Sequence, residues 1–260
     1  MELLTSLFLI AIGMLAGGLN AVAGGGTFFA FPALLLLGAP PVAANATCTI
    51  AVWPASLASV YAFRHHMGEH IRRLPWVLLL AVIGGWVGAQ LLLLTPDATF
   101  AWMIPWLLLI ATLLFTYGKR MAVWVGKVSA HAHGKWVRLS IATALLLITA
   151  LYGGYFGAGL GILTLATLYA LGVSDDMHQL NAVKTVVAAS VNVSAFLTFV
   201  LSDIVLWRYG LPMMAGGVIG GYFGARLSLN VAPETVRRFV ITAAISATIY
   251  FFFKTYGIRT

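Results

Sequence analysis

Gly17-Gly18-Leu19-Asn20-Ala21-Val22-Ala23-Gly24-Gly25-Gly26-Thr27-Phe28-Phe29-Ala30-Phe31-Pro32 interrupts an otherwise continuous apolar run from residue 3 to residue 38. A second run, 139–172, is broken by Gly153-Gly154, Gly157, Gly159 and Gly161. Thirty-five helical residues extend about 52 Å at 1.5 Å per residue, against a hydrocarbon core of about 30 Å. A single span holds that length only with extreme tilt, whereas a helical hairpin turning at its glycines holds it easily. The short returning helices are then expected at 27–38 and 162–172.

Six single spans surround the two runs, at 43–63, 74–95, 100–118, 181–201, 206–230 and 236–256. The composition agrees: of 260 residues, 61% are hydrophobic and 8% charged. Soluble domains run at about 45–50% apolar and about 25% charged. So few charges do not cover a globule, and the chain reads as an all-α polytopic membrane protein; a soluble enzyme or nucleic-acid binder is excluded. The net charge of +8 is then a topology signal of cytoplasmic loops. Cys48, the one cysteine, excludes an internal disulfide or multi-cysteine metal site and reads as a small packed side chain. Ala21-Val22-Ala23 mimics a signal-peptide cleavage site, but Glu2 precedes it with no Lys or Arg. The segment is kept as a structural helix.

The halves repeat at an offset of 136 residues: Gly17-Gly18 falls on Gly153-Gly154, Gly25 on Gly161, Asn45-Ala46 on Asn181-Ala182, Thr49 on Thr185. Gly84-Gly85-Trp86-Val87-Gly88-Ala89 falls on Gly220-Gly221-Tyr222-Phe223-Gly224-Ala225. An ordered series at one offset signals duplication. Domains follow: a first transmembrane repeat over 1–118, a basic cytoplasmic linker over 119–138 and a second repeat over 139–260. With each broken run as a hairpin, the repeats are inverted, each a Gly-tipped broken hairpin plus three transmembrane helices. With each run as one span, an eight-span parallel 4+4 arrangement results. Basic residues do not choose between them, because both place 11 of the 14 other than Lys184 inside. Both make 64–73 and 119–138 cytoplasmic, and run length favours inversion with both termini outside.

Discontinuous helices in corresponding positions of two halves point to a transporter site at the midplane. Lys184 stands in Asn181-Ala182-Val183-Lys184-Thr185 with no other charge before Arg208. An intramembrane Lys costs on the order of 3 kcal/mol. It either faces a substrate path or snorkels to the helix end. Asn181, Lys184, Thr185 and Asn192 share one helical face, suited to an oxyanion. Asn45 and Thr49 take the equivalent places in the first half, with Cys48 where the lysine falls. These polar residues also suit interhelical hydrogen bonding. Gly24, Gly25, Gly26 and Thr27, and likewise Gly159 and Gly161, precede short helices whose N-termini offer N–H groups and a positive dipole end. Gly84, Gly85, Gly88, Gly220, Gly221 and Gly224 read instead as close helix packing.

Other chemistry finds little material. No Walker loop is present, since Gly153–Gly159 lacks its Lys-Ser/Thr end. The histidines of 64–73 and 119–138 suit headgroup contact; His178 alone lies near the candidate site. Asp97, Asp175, Asp176, Asp203 and Glu234 all fall in loops or at span ends, against a carboxylate-based antiporter. No cofactor and no metal are expected.

The Gly17–Pro32 segment, Gly153-Gly154-Tyr155-Phe156-Gly157-Ala158-Gly159-Leu160-Gly161 and Asn181-Ala182-Val183-Lys184 together resemble the TauE/SafE sulfite exporter family, also called the toluene-sulfonate uptake permeases, over essentially the whole chain. The sequence departs from the pattern at Leu168, where the second half lacks the counterpart of Pro32, and at Cys48. The resemblance implies a secondary transporter of a small sulfur-containing anion, sulfite or an organosulfonate, by alternating access in the cytoplasmic (inner) membrane. Its partners are that inorganic or organic sulfur oxyanion and membrane lipid, with no nucleic acid; a homodimer is admitted but not required. Competing readings are a non-transporting scaffold or accessory subunit, a carrier of another small anion, and a membrane enzyme, for which no nucleophile–base pair is available within a span.

Overall fold

The computed structural model describes residues 2–22, 24–66, 75–131, 135–171, 173, 176–227 and 233–257. Among them are ten α-helices and no strand. In chain order they are α1 (Glu2–Val22), α2 (Thr27–Leu36), α3 (Pro41–Phe63), α4 (Pro75–Leu93), α5 (Asp97–His131), α6 (Lys135–Tyr155), α7 (Leu160–Ala170), α8 (Met177–Leu201), α9 (Trp207–Leu227) and α10 (Pro233–Tyr256). Six are long and apolar enough to cross a membrane: α1, α3, α4, the Asp97–Gly118 part of α5, α8 and α10. Large apolar side chains face outward on them, with Leu3 and Phe253 each 74% exposed, as lipid contact requires. The chain is a multi-pass membrane protein. α9, expected as a span, has the length of one but is rich in glycine and falls outside the six. The linker 119–138 is largely helical, since α5 runs on to His131 and α6 starts at Lys135.

Contacts at the helix ends fix the directions. Val42 donates its N–H to Asp97 Oδ1 at 2.8 Å, so α3 and α5 start at a common end. Leu206, just before α9, donates to Thr47 Oγ1 at the same end. At the opposite end Phe63, closing α3, packs with Ala21 of α1, Ala182 of α8 and Ala225 of α9. α10 returns to the first end, where Tyr256 donates to the Trp102 carbonyl at 2.8 Å. α6 also finishes there, its Tyr155 hydroxyl 3.3 Å from Thr95 Oγ1. α1, α3, α5 and α9 therefore run one way, and α4, α6, α8 and α10 the other. Each helix thus opposes its counterpart 136 residues away.

α2 and α7 fold back beside the helices they follow. A Cβ at Gly26 would meet the Ala16 carbonyl of α1, and Thr149 of α6 bonds Thr167 of α7 at 3.2 Å. α2 begins at Thr27 as the sequence implies, whereas α7 begins at Leu160, two residues before the expected 162, so Gly161 lies in its first turn.

The halves interlock. α1 of the first packs on α9 of the second, and α6 of the second on α4 of the first. Both seams are glycine-lined: a Cβ at Gly216 would meet the Ile10 carbonyl, at Gly220 that of Met14, at Gly88 that of Leu151 and at Gly154 that of Gly85. Small residues let backbones approach where lipid supplies no hydrophobic drive between helices; this is the packing role expected of Gly88 and Gly220. Thr112 of α5 and Thr248 of α10, separated by 136 residues, bond each other at 3.1 Å.

Candidate functional site

The first break forms because Gly24 adopts φ +78° and returns its N–H to the Leu19 and Asn20 carbonyls, both at 3.0 Å. This is a left-handed C-cap that glycine adopts without a Cβ clash. The second break uses Gly157 and Gly159, both at φ +77°. Phe156 and Gly157 each donate to the Tyr152 carbonyl, and the Tyr152 hydroxyl donates to the Ala158 carbonyl at 2.8 Å. Phe31, Phe100 and Phe156 wedge beside this tip, with Phe31 and Phe156 centroids 5.5 Å apart.

The two breaks touch. A Cβ built on Gly24 would lie 2.6 Å from the Gly161 Cα, and one on Gly161 2.6 Å from the Gly24 Cα. Gly25 fits against Val240 and Phe115, and Gly26 against α1. Gly159 has looser surroundings, its nearest neighbour being Ala111 at 3.7 Å. Among the described residues, no carbonyl takes the Gly159 or Gly161 N–H, although both glycines are buried. Buried unpaired amides at a helix N-terminus suit an anion.

Lys184 is 3% exposed. Its Nζ donates to the Ala21 carbonyl at 3.4 Å, at the C-terminal turn of α1 beside the first break. The side chain therefore turns into the bundle and not toward the helix end. Asn45 makes the corresponding contact at the other break: its Nδ2 donates to the Tyr155 carbonyl, the last of α6, at 2.9 Å. Each broken helix is thus capped by a donor from the opposite half.

The remaining expected residues divide by hydrogen bonding. The Thr49 and Thr185 hydroxyls donate back to the Asn45 and Asn181 carbonyls at 3.1 and 2.8 Å, so their protons are used locally. The Thr27 side chain lies beside Cys48, bringing the start of α2 against α3. The Asn181 and Asn192 side chains form no hydrogen bond among the described residues; Asn192 is 7% exposed. The His178 side chain and all of Asp175 lie outside the described residues. No group of three His, Cys, Asp or Glu able to hold a metal occurs among the described residues.

Three features went unread in the sequence. Asn20 donates to Ser56 Oγ at 3.3 Å, tying α1 to α3. Tyr152 closes the second tip. Asp97 caps the start of α3 from 55 residues away. Asn20 and Asp97 find their partners 36 and 55 residues away, which leaves no local spacing signal.

Comparison with known proteins places the chain among membrane transporters. Residues 9–251 match the family model described as "Sulfite exporter TauE/SafE". A "Probable membrane transporter protein" of Haemophilus influenzae is 28% identical over 251 residues, 95% of this chain and 93% of that protein. The "Probable membrane transporter protein ORF9" of a Sinorhizobium species is 28% identical, covering 93% of this chain and 90% of its own length. The Escherichia coli "Probable membrane transporter protein YfcA" is 23% identical, with 96% and 95% covered. No solved structure matches the chain.

Proposed function

This chain belongs to the sulfite exporter TauE/SafE family of membrane transporters, and from that premise we propose that it moves a small sulfur-containing anion, sulfite or an organosulfonate, across the cytoplasmic membrane by alternating access. The observation that carries the proposal is the meeting of two glycine breaks beside a buried lysine. The anion sits beside the contact of Gly24 with Gly161, on the side of the Gly159 amide and Lys184. Lys184 supplies positive charge from the two ammonium protons that Ala21 does not use. The Gly159 and Gly161 amides supply hydrogen bonds, and Asn181 and Asn192 orient the anion from the Lys184 face of α8. Gly24–Thr27 close the opposite wall. A site of amides plus one ammonium binds an oxyanion without arginine.

The directions of the helices support two inverted repeats, 1–118 and 139–260, joined by the basic segment 119–138. The ends of α3 and α5 that carry the basic residues then face the cytoplasm, and both termini lie outside. The glycine seams bear on how access alternates. Moving one sequence half rigidly against the other would tear α1 from α9 and α4 from α6. α5 packs mainly on α7 and α10, whereas α2 packs mainly on α1 and α3, and α7 also packs on α6 and α8.

The test is sulfite and sulfoacetate flux in proteoliposomes with wild type and Lys184→Met, alongside a thermal-shift screen of sulfite, sulfate, thiosulfate, sulfoacetate and taurine. The expected result is flux and anion-dependent stabilisation in wild type, and neither in a folded Lys184→Met protein. Undiminished flux in that variant removes Lys184 from the site. Absence of both responses in wild type favours the scaffold reading.

A further inference from the structure

The two breaks are alike in backbone and unlike in charge. Both α1 and α6 end inside the protein, and a helix C-terminus carries roughly half a negative charge with unpaired carbonyls. At α1 this is answered by a covalent cation, the Lys184 ammonium on the Ala21 carbonyl. At α6 the cap is a neutral amide, Asn45 on the Tyr155 carbonyl. Asn45 is fully buried, and its Oδ1 has no hydrogen-bond partner. The Nδ2 bond to Tyr155 fixes the amide, so this unpaired atom is an acceptor held at the negative end of a helix. The Gly153 and Gly154 carbonyls of the same last turn also receive none of the described loop hydrogen bonds.

An unpaired buried acceptor among carbonyls is poorly placed for an anion and well placed for a cation. Asp97 approaches the same end of α3, one turn from Asn45 along the helix, through its bond to the Val42 N–H. It lies exposed at the end of the bundle and adds negative potential on the approach. Neutral oxygen donors without a buried carboxylate suit a monovalent hard cation better than a divalent one. We propose that Asn45 Oδ1 and the terminal carbonyls of α6 form a sodium site, the exchangeable counterpart of the Lys184 ammonium at the other break. Half one, having Cys48 at the lysine position, takes its positive charge from solution. Carried with an anion, that cation offsets its charge.

The site is independent of which anion is moved, and its test contains no anion substrate. Thermal midpoints of the full chain in detergent are titrated with sodium at constant ionic strength, balanced by choline, with potassium and lithium as size controls. Sodium is expected to raise the wild-type midpoint by about 3 °C or more over choline, and the sodium concentration giving half the effect is expected to rise at least tenfold in Asn45→Ala. If Asn45→Ala does not fold, Asn45→Asp, which keeps an acceptor and adds charge, is expected to lower that concentration at least threefold. Equal midpoints in sodium and choline, an equal response to all cations, or a sodium response unchanged in the Asn45 variants overturns the proposal. A sodium response without anion flux leaves this site standing and removes the transport reading instead.

Discussion

Replacing Gly161 with alanine isolates the contact on which the site depends. Gly161 has no positive φ, so the added methyl brings no backbone strain of its own. Its whole effect is steric: the new Cβ would lie 2.6 Å from the Gly24 Cα, with backbone on both sides and no flexible side chain to yield. Overpacking costs about 1–3 kcal/mol, and rigid neighbours put this case at the upper end, about 3 kcal/mol. At roughly 2–4 °C per kcal/mol for a chain of this order of size, the melting temperature falls by about 6–12 °C. Three companions separate the causes. Gly24→Ala meets Gly161 at the same distance and also places alanine at φ +78°, adding about 1–2 kcal/mol. Gly38→Ala, at φ +81° with nothing within 4 Å, has the conformational cost alone. Gly159→Ala, at φ +77° with an ordinary 3.7 Å contact, should resemble Gly38→Ala in stability while losing anion flux. The assay is thermal unfolding of purified protein beside proteoliposome flux. The expected order of stability loss is Gly24, then Gly161, then Gly38 and Gly159 together. A Gly161→Ala protein as stable and active as wild type would refute the contact between the breaks. A Gly38→Ala protein as damaged as Gly24→Ala would refute the division between sterics and backbone strain.

Gly220→Ala drives a methyl into the Met14 carbonyl of the α1–α9 seam; monodisperse yield on size exclusion should collapse, and a normal yield would contradict the packing. A double-mutant cycle of Thr112→Val and Thr248→Val should show a coupling of about 0.6–1.7 kcal/mol, because their hydroxyls bond each other between α5 and α10; additive losses would place them apart. Tyr152→Phe removes only the bond to the Ala158 carbonyl and should lower stability by about 1 kcal/mol; an unchanged denaturation midpoint would contradict that bond.

Much of the architecture was legible because lipid leaves few choices. Buried backbone must be helical, so apolar length alone located the spans, and two runs too long for one crossing located the hairpins. The 136-residue offset pointed to a repeat, and Lys184 stood out because a lone intramembrane charge is costly. The break at Gly159-Leu160-Gly161 was read two residues late, since several nearby glycines permit the left-handed turn and only packing selects Gly157 and Gly159. The α9 segment read as an ordinary span, yet its glycines serve the seam with α1 more than contact with lipid.

Partners were another matter. The sequence placed Asn45 and Lys184 in related positions, as residues for one anion. That Lys184 reaches Ala21 and Asn45 reaches Tyr155, each across to the other half, follows from the crossing of the halves through the glycine seams. The hydroxyls of Thr49 and Thr185 looked like ligands from spacing, but each donates to a carbonyl one turn back. Composition and apolar length by themselves determined that this is a helical membrane protein with two glycine-broken apolar runs and a lone lysine, Lys184, within a span. Only the tertiary structure decided that the breaks touch, that each is capped by the opposite half, and that one cap leaves an acceptor unpaired. Hydrophobic length and glycine content are properties of a segment, whereas hydrogen-bond satisfaction belongs to pairs of atoms brought together from distant parts of the chain.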